Sequence, residues 1–232
     1  MGGAATGTCY FCGSIADFGT PADPTGCSNQ GLSDIPACWA GCDPDYVPAP
    51  SPPASSNEFV TPVVTAIGGA PGGWETYQLS VDLTGTASNV YTIYGNTDGA
   101  MSFPAAYQVA APFGADIGGV SPAFFAIANN AALGYAEFDS WLTVGVTDGS
   151  APGALSASPG FPMDTWTDST ALETNNGAIF WMSPDDGPAG SAVIAQITVT
   201  AGSSGVATCG LQGRTSTSGD DWSADGIAFT YP

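Results

Sequence analysis

The sequence predicts an all-β protein: an antiparallel β-sandwich or jelly roll preceded by a small disulfide-rich N-terminal head. Three observations support this prediction. Apolar and polar residues alternate in several segments, Gly and Pro contribute 32 and 19 of the 232 residues, and five of the six cysteines precede Asp43. Alternation with a period of two is typical of strands with one buried face. Frequent Gly and Pro suit short strands joined by tight turns.

The head comprises residues 1–45. An even number of cysteines clustered in a Gly/Pro-rich segment indicates a disulfide framework made in an oxidising compartment. Because five cysteines cannot all pair among themselves, we expect two local bridges and one bridge from the head to Cys209. The spacings Cys9-x-x-Cys12 and Cys38-x-x-x-Cys42 also match a zinc site, which stays open as an alternative. The six cysteines are Cys9, Cys12, Cys27, Cys38, Cys42 and Cys209.

Residues 46–58 form a Pro/Ser-rich linker with the sequence Val47-Pro-Ala-Pro-Ser-Pro-Pro-Ala-Ser-Ser56. This composition predicts an extended, fairly stiff polyproline II segment. The unit Ser51-Pro52-Pro53 resembles the Ser-Pro-Pro units of plant and algal cell-wall glycoproteins. That resemblance implies O-linked sugar on Ser51, on Pro52 and Pro53 as hydroxyproline, and on Ser55 and Ser56.

The third region, residues 59–232, carries the strand patterns. Trp74–Leu83 alternates so that Tyr77, Leu79 and Val81 share one face. Further strands are predicted in 89–94, 138–146, 178–182, 193–199 and 227–231. Val193, Ala195, Ile197 and Val199 share one face of the segment 193–199. Asp98-Gly99 and Asp225-Gly226 predict tight turns between strands. Antiparallel sheets of this kind keep one face wet.

Charge excludes several functions. The chain has 21 acidic residues and one basic residue, Arg214, with no Lys and no His, which gives a formal net charge of -20. Neutralising nucleic-acid phosphates requires Lys and Arg, so nucleic acid is not expected as a partner. An anionic membrane surface would repel the chain, and no apolar run is long enough for membrane insertion. Met1 begins no recognisable signal peptide, so we expect that the signal of a secreted form has been removed or lies outside this sequence.

Two groups of acidic residues are candidate sites. Glu137-Phe138-Asp139 resembles the first half of the Glu-x-Asp-x-x-Glu strand of laminarinase-like glycosidases, with Leu142 in place of the second Glu. Alternation places Glu137 and Asp139 on the wet face beside Trp141. Retaining glycosidases need two carboxyl groups in defined roles, so no catalytic residue is assigned and no enzyme is expected. The candidate calcium ligands, in Gly-rich loops, are Asp185, Asp186, Asp220, Asp221 and Asp225. Solvated turn carboxylates are the alternative.

Residues 60–232 resemble an uncharacterised secreted domain of aquatic microbes and microalgae, through Asn89-Val-Tyr-Thr-Ile-Tyr-Gly, Phe103-Pro-Ala-Ala-Tyr-Gln-Val-Ala-Ala-Pro-Phe-Gly114 and Glu137-Phe-Asp-Ser-Trp-Leu-Thr-Val-Gly. The layout of head, linker and sandwich resembles subunits of extracellular glycosylated fibrils. This resemblance implies a non-catalytic structural subunit of an extracellular filament or cell-surface coat. Its partners would be copies of itself, in a helical or linear polymer assembled head to tail, and glycans.

Two questions stay open. The alternative function is a calcium-dependent carbohydrate-binding module, with calcium as its cofactor. The apolar segment 103–114 does not alternate, so it either crosses the core or forms a patch for a partner. An extended segment at Val60–Ile67 would suit addition to a neighbour's sheet, with Pro62 restricting it to an edge.

Overall fold

The computed structural model describes residues 57–69, 72–151 and 153–232. The head therefore lies outside the described residues, with its disulfides and the zinc alternative at Cys9, Cys12, Cys27, Cys38 and Cys42. The glycosylation predicted at Ser51, Pro52, Pro53, Ser55 and Ser56 lies outside them as well. These expectations stay predictions.

Strands dominate the described part of the chain. Long strands coincide with the alternating segments, because side chains of one parity can all enter a core. The strands are β1 Val60–Gly68, β2 Trp74–Leu83, β3 Thr92–Gly95, β4 Met101–Phe103, β5 Asn129–Asn130, β6 Gly134–Tyr135, β7 Trp141–Leu142, β8 Leu155–Ala157, β9 Leu172–Thr174, β10 Gly177–Trp181, β11 Ser191–Thr200, β12 Gly205–Arg214 and β13 Asp221–Tyr231.

Helical structure is confined to single turns in the described residues. One is α-helical, α1 (Phe125–Ala128), and the 3-10 turns are Pro122–Phe124, Ala136–Phe138, Met163–Thr165 and Pro184–Asp186. Within the described ranges no helix has the length and apolar character needed to cross a bilayer.

The strands form two main antiparallel sheets and one small hairpin. The first sheet has the order β1-β2-β11-β7. The second has the order β8-β10-β3-β12-β4-β9, with β13 paired to β12, and β5 pairs with β6 alone. Every pairing of these strands is antiparallel. The prediction of an all-β, antiparallel protein is confirmed.

One hydrophobic core joins the two main sheets. The first sheet contributes Tyr77, Leu79 and Val81 from β2, all at most 4% exposed, as the alternation predicts. The second sheet contributes Leu211 and Phe229, both fully buried. The rings of Tyr77 and Tyr231 lie 5.6 Å apart between the sheets. Burial of these side chains from both sheets is the main stabilising contribution expected for the fold.

Strand β11 departs from the predicted alternation. A register shift between Val193 and Ala195 interrupts its pairing with β2. Ile194, Ala195 and Ile197 therefore enter the main core, whereas Val193 packs against a different cluster. The prediction that Val193 shares the face of Ala195 is wrong, because a β-bulge adds one residue and reverses the parity of the strand.

The predicted turns divide into two kinds. Asp98-Gly99 does lie in the turn between β3 and β4, where the N–H of Asn96 donates to the carbonyl oxygen of Gly99. Asp225-Gly226 lies instead within β13, opposite the register shift between Cys209 and Leu211. Gly226 has φ +61 there, which suits a bulge residue as well as it suits a turn.

Strand β1 is an edge strand of its own sheet. The N–H of Thr84 donates to the carbonyl oxygen of Phe59, so the backbone polar groups of Phe59 face the neighbouring strand. Alternation then points the backbone nitrogen of Pro62, which has no hydrogen, towards the open edge. Pro62 thus lies in an edge strand, but the edge belongs to this chain's own sheet and not to a neighbour's. The pairing of Val60–Gly68 with β2 of the same chain argues against its donation to a neighbour.

Cys209 is a free cysteine at 0% exposure, in the main core. Burial raises the pKa of its thiol to about 12, so it is protonated and unreactive at neutral pH. Cys209 is free in the structure, and the bridge predicted between it and the head stays open as the alternative.

We expect Cys209 to resist alkylation in the native protein and to react after unfolding without a reductant. Iodoacetamide is applied first in native buffer, and its isotopically heavy form is applied in urea. Mass spectrometry of the peptide that carries Cys209 then reports which label it bears. A peptide that takes up label only after reduction would restore the disulfide prediction.

Trypsin should fail to cleave the native chain after Arg214. The carbonyl oxygen of Arg214 accepts from the N–H of Ser88 at 2.7 Å, and its N–H donates to Oδ1 of Asn89 at 2.8 Å. Since a protease needs locally unfolded backbone, this strand end is protected. Intact mass after digestion measures the cut, with the urea-unfolded chain as the control. Rapid native cleavage would show that β13 leaves the sheet easily.

Candidate functional site

A covering segment, residues 104–140, lies on the outer face of β11. The N–H of Tyr107 donates to the carbonyl oxygen of Thr198 at 2.8 Å, and the N–H of Thr198 donates to Oγ of Ser140 at 2.9 Å. Nε2 of Gln196 donates to the carbonyl oxygens of Glu137 and Asp139. As a result Gln196, Thr198 and Ser140 are buried. The expectation of one wet face is wrong for β11, because a second layer covers it.

A small hydrophobic cluster lies between the covering segment and the first sheet. Val120, Ala128, Ala136 and Trp141 are its buried members. Val193, which the bulge turns outward from the main core, packs against the same cluster. The covering segment is therefore attached to the first sheet by apolar contacts as well as by hydrogen bonds.

The carboxylate of Asp139 joins distant parts of the covering segment. Oδ1 accepts from the N–H of Val109 and Oδ2 accepts from the N–H of Ala115, each at 2.7 Å. Asp139 is 0% exposed. Burial raises its pKa from 3.8 to about 7, against the lowering effect of the backbone N–H groups of Ala115, Val109 and Ser140. This side chain thus closes the loop 109–115 onto the segment below it.

The expected arrangement of Glu137 and Asp139 is wrong. Residues 136–138 form a 3-10 turn rather than a strand, so alternation does not apply. Asp139 and Trp141 are buried, and exposed Glu137 instead accepts from Nδ2 of Asn129 at 2.9 Å. Leu142 points into the main core, as expected. Each carboxylate therefore has a local structural partner.

The segment 103–114 is expected either to cross the core or to form a surface patch, and it does each in part. Phe103 and Ala106 are fully buried, and Nε1 of Trp166 donates to the carbonyl oxygen of Pro104 at 2.7 Å. The following residues emerge at the surface, where Ala110, Ala111 and Pro112 are exposed. The segment is anchored at its start and contributes to a surface at its end.

The exposed apolar residues of the covering segment form what we call the apolar patch. Phe124, Ile127 and Leu133 are 37%, 57% and 40% exposed, although such side chains are usually buried. The rings of Phe124 and Phe113 meet edge to face with centroids 5.9 Å apart. The patch comprises Ala110, Ala111, Pro112, Pro122, Ala123, Phe124, Ala126, Ile127, Ala131, Ala132 and Leu133.

Few charges accompany this patch. Between Asp98 and Glu137 the sequence has a single charged residue, Asp116, although the chain carries 21 acidic residues. Contiguous exposed apolar surface is a common mark of an interaction site in a soluble protein. The patch is therefore the candidate functional site of the described residues.

The five candidate calcium ligands do not converge. Arg214 donates from Nε to Asp185 and from Nη1 to Asp221, each at 2.7 Å, so the only basic side chain pairs with two of them. Asp225 accepts instead from Oη of Tyr94 and Nδ2 of Asn96. Asp221 and Asp225 lie in β13 rather than in the expected loop. Within residues 57–69, 72–151 and 153–232, no group of three acidic, Cys or His residues is placed to hold a metal ion.

No protein-family model, curated protein or solved structure matches this chain. Sequence reasoning identified part of the patch, at 103–114, but missed Phe124, Ile127 and Leu133. The scarcity of charge around them is not by itself a signal, because the longer uncharged stretch 187–213 forms β11 and most of β12.

Ionisation of Asp139 should destabilise the fold. Its folded pKa of about 7 exceeds its ordinary 3.8, so the folded state holds a proton that the unfolded state releases near pH 4. Stability should therefore fall as pH rises through this window, by about 2–3 kcal/mol between pH 5 and pH 8. Asp139→Asn, which cannot ionise, should lack this contribution.

Urea unfolding at several pH values measures the effect. Asp168→Asn is the matched control, because Asp168 is exposed and the substitution removes the same charge. For each variant, the free energy of unfolding is plotted against pH. The difference between the two slopes gives the contribution of Asp139 apart from that of the other carboxylates. Equal slopes would show that Asp139 titrates normally in the folded protein.

Proposed function

We propose that this protein is a non-catalytic structural subunit of an extracellular glycosylated filament or cell-surface coat, assembling head to tail with copies of itself. We further propose that its two main sheets form a β-sandwich and that the head is stapled by disulfides. The single observation that carries the proposal is the apolar patch, an uncharged surface on a chain with a net charge of -20.

The net charge of the chain restricts which surfaces of two copies can come into contact. Two copies that each carry -20 repel one another, so a favourable contact must bury apolar surface without bringing carboxylates together. The patch meets that requirement, since Asp116 is the only charged residue in the covering segment before Glu137. The remaining repulsion is screened over about 8 Å at physiological salt, which favours assembly in saline surroundings.

The calcium-dependent carbohydrate-binding alternative has less support. Arg214 pairs with Asp185 and Asp221, two of the five carboxylates that such a site would use. The resemblance to a secreted domain of aquatic microbes and microalgae agrees with an extracellular location and remains part of the proposal.

The full-length protein should form filaments as its concentration and the salt concentration increase. The double variant Phe124→Ser/Ile127→Ser should raise the concentration needed for assembly by about tenfold or more, because it removes exposed apolar contact area. Electron microscopy and sedimentation velocity measure assembly, and circular dichroism checks folding.

Met182→Ser/Val206→Ser is the matched control for this experiment. Met182 and Val206 are 61% and 50% exposed and lie outside the covering segment. The control should assemble like the unmodified protein. A full-length protein that stays monomeric at high concentration and high salt would overturn the filament proposal.

A further inference from the structure

Among the described residues, Asp139 is the only acidic side chain that is buried. It has no basic partner, because Arg214, the only basic residue of the chain, pairs with Asp185 and Asp221. An ionised carboxyl that is buried without a cation loses much of its hydration, so burial favours the protonated form. The charge of Asp139 therefore depends on how completely the carboxyl is kept from water.

The groups around Asp139 add no positive charge. The loop 109–115 contains no titratable side chain, Gln196 of β11 is neutral, and Glu137 is exposed. Burial is the main cause that raises the pKa of Asp139 to about 7, and the negative charge of Asp116 adds to it. Backbone N–H groups lower this pKa but do not offset the burial. Ionisation of Asp139 inside the closed loop is thus unfavourable below neutral pH.

The loop that covers Asp139 is also held by it. The N–H groups of Val109 and Ala115, at the two ends of the loop, donate to the carboxyl oxygens. The N–H of Gly114 donates to the carbonyl oxygen of Ala110, so that bond stays inside the loop. A Cβ at Gly114 would lie 2.9 Å from Oδ2 of Asp139, which shows how closely the loop backbone packs on the carboxyl.

The same loop forms one end of the apolar patch. Ala110, Ala111 and Pro112 are exposed, and the ring of Phe113 meets that of Phe124 with centroids 5.9 Å apart. Exposed loops with few attachments open at a lower free energy than the strands of a core. Opening of this loop would therefore hydrate Asp139 and change the patch at the same time.

We propose that Asp139 is a pH-sensitive switch of the loop 109–115: the protonated carboxyl keeps the loop closed, and ionisation favours its opening. The closed loop completes the patch, whereas the open loop withdraws Ala110, Ala111 and Pro112 from it. The chain has no His, the side chain that usually provides a response to pH in the neutral range. The switch belongs to a single subunit and does not depend on the filament function.

The direction of the response follows from where the proton is held. The closed loop keeps the proton on Asp139 up to about pH 7, whereas a hydrated carboxyl releases it near the ordinary pKa of 3.8. Opening therefore releases a proton between these values. The equilibrium constant for opening should rise about tenfold per pH unit, or about 100-fold from pH 5 to pH 7, and should then level off.

Amide hydrogen exchange followed by NMR measures this opening at the N–H groups of Val109 and Ala115. The full-length protein is used in low salt, under conditions where sedimentation velocity shows a monomer. Protection factors correct for the intrinsic effect of pH on exchange. Those of Val109 and Ala115 should fall about 100-fold from pH 5 to pH 7. They should stay below that of Leu79, which lies in a strand paired on both sides.

Two variants identify the group that is responsible. Asp139→Asn cannot ionise, so the protection of Val109 and Ala115 should no longer depend on pH. Asp116→Asn is the matched control, because it removes a neighbouring negative charge and leaves Asp139 in place. It should keep the pH dependence of the unmodified protein.

Three results would overturn the proposal. Protection at Val109 and Ala115 equal to that at Leu79 at every pH would show that the loop opens only when the whole protein unfolds. Protection in the unmodified protein that does not change with pH would show that the charge of Asp139 leaves the loop closed. A pH dependence that persists in Asp139→Asn would assign the response to another group.

Discussion

Strand β11 is buried on both faces. The rest of the described structure depends on what covers each face and on how its buried polar groups find hydrogen-bond partners. Its inner face places Ile194, Ile197 and Val199 in the main core. Its outer face carries Gln196 and Thr198, whose burial without partners would be costly. The covering segment supplies two backbone carbonyls to Nε2 of Gln196, and Oγ of Ser140 accepts from the backbone N–H of Thr198. The hydroxyl of Thr198 pairs instead with the hydroxyl of Thr76 in β2. The polar outer face of β11 thereby determines where the covering segment lies.

Asp139 shows how the covering segment is held in one conformation. Its two carboxylate oxygens accept from the backbone N–H groups of Val109 and Ala115. Asp139 thus supplies the acceptors for two backbone donors of the covering segment. Asp139 therefore fixes the loop 109–115, which carries the patch residues Ala110, Ala111 and Pro112. A buried polar network and an exposed apolar patch are consequences of the same arrangement.

The scarcity of basic residues shapes both stability and association. With one Arg and 21 acidic residues, ion pairs contribute little, and the only basic side chain bridges Asp185 and Asp221. Stability must come from the core and from hydrogen bonds. Association must use surface without carboxylates, and the covering segment has such a surface.

The sequence by itself determined the all-β class, the inward residues Tyr77, Leu79 and Val81, and the edge position of Pro62. Alternation and the missing proline N–H are local properties, so they can be interpreted without knowing the fold. Only the tertiary structure decided that Gln196 and Asp139 are buried, that Val193 leaves the main core, and that Arg214 meets Asp185. Those outcomes depend on segments distant in sequence, because burial and pairing are set by whichever part of the chain covers a face.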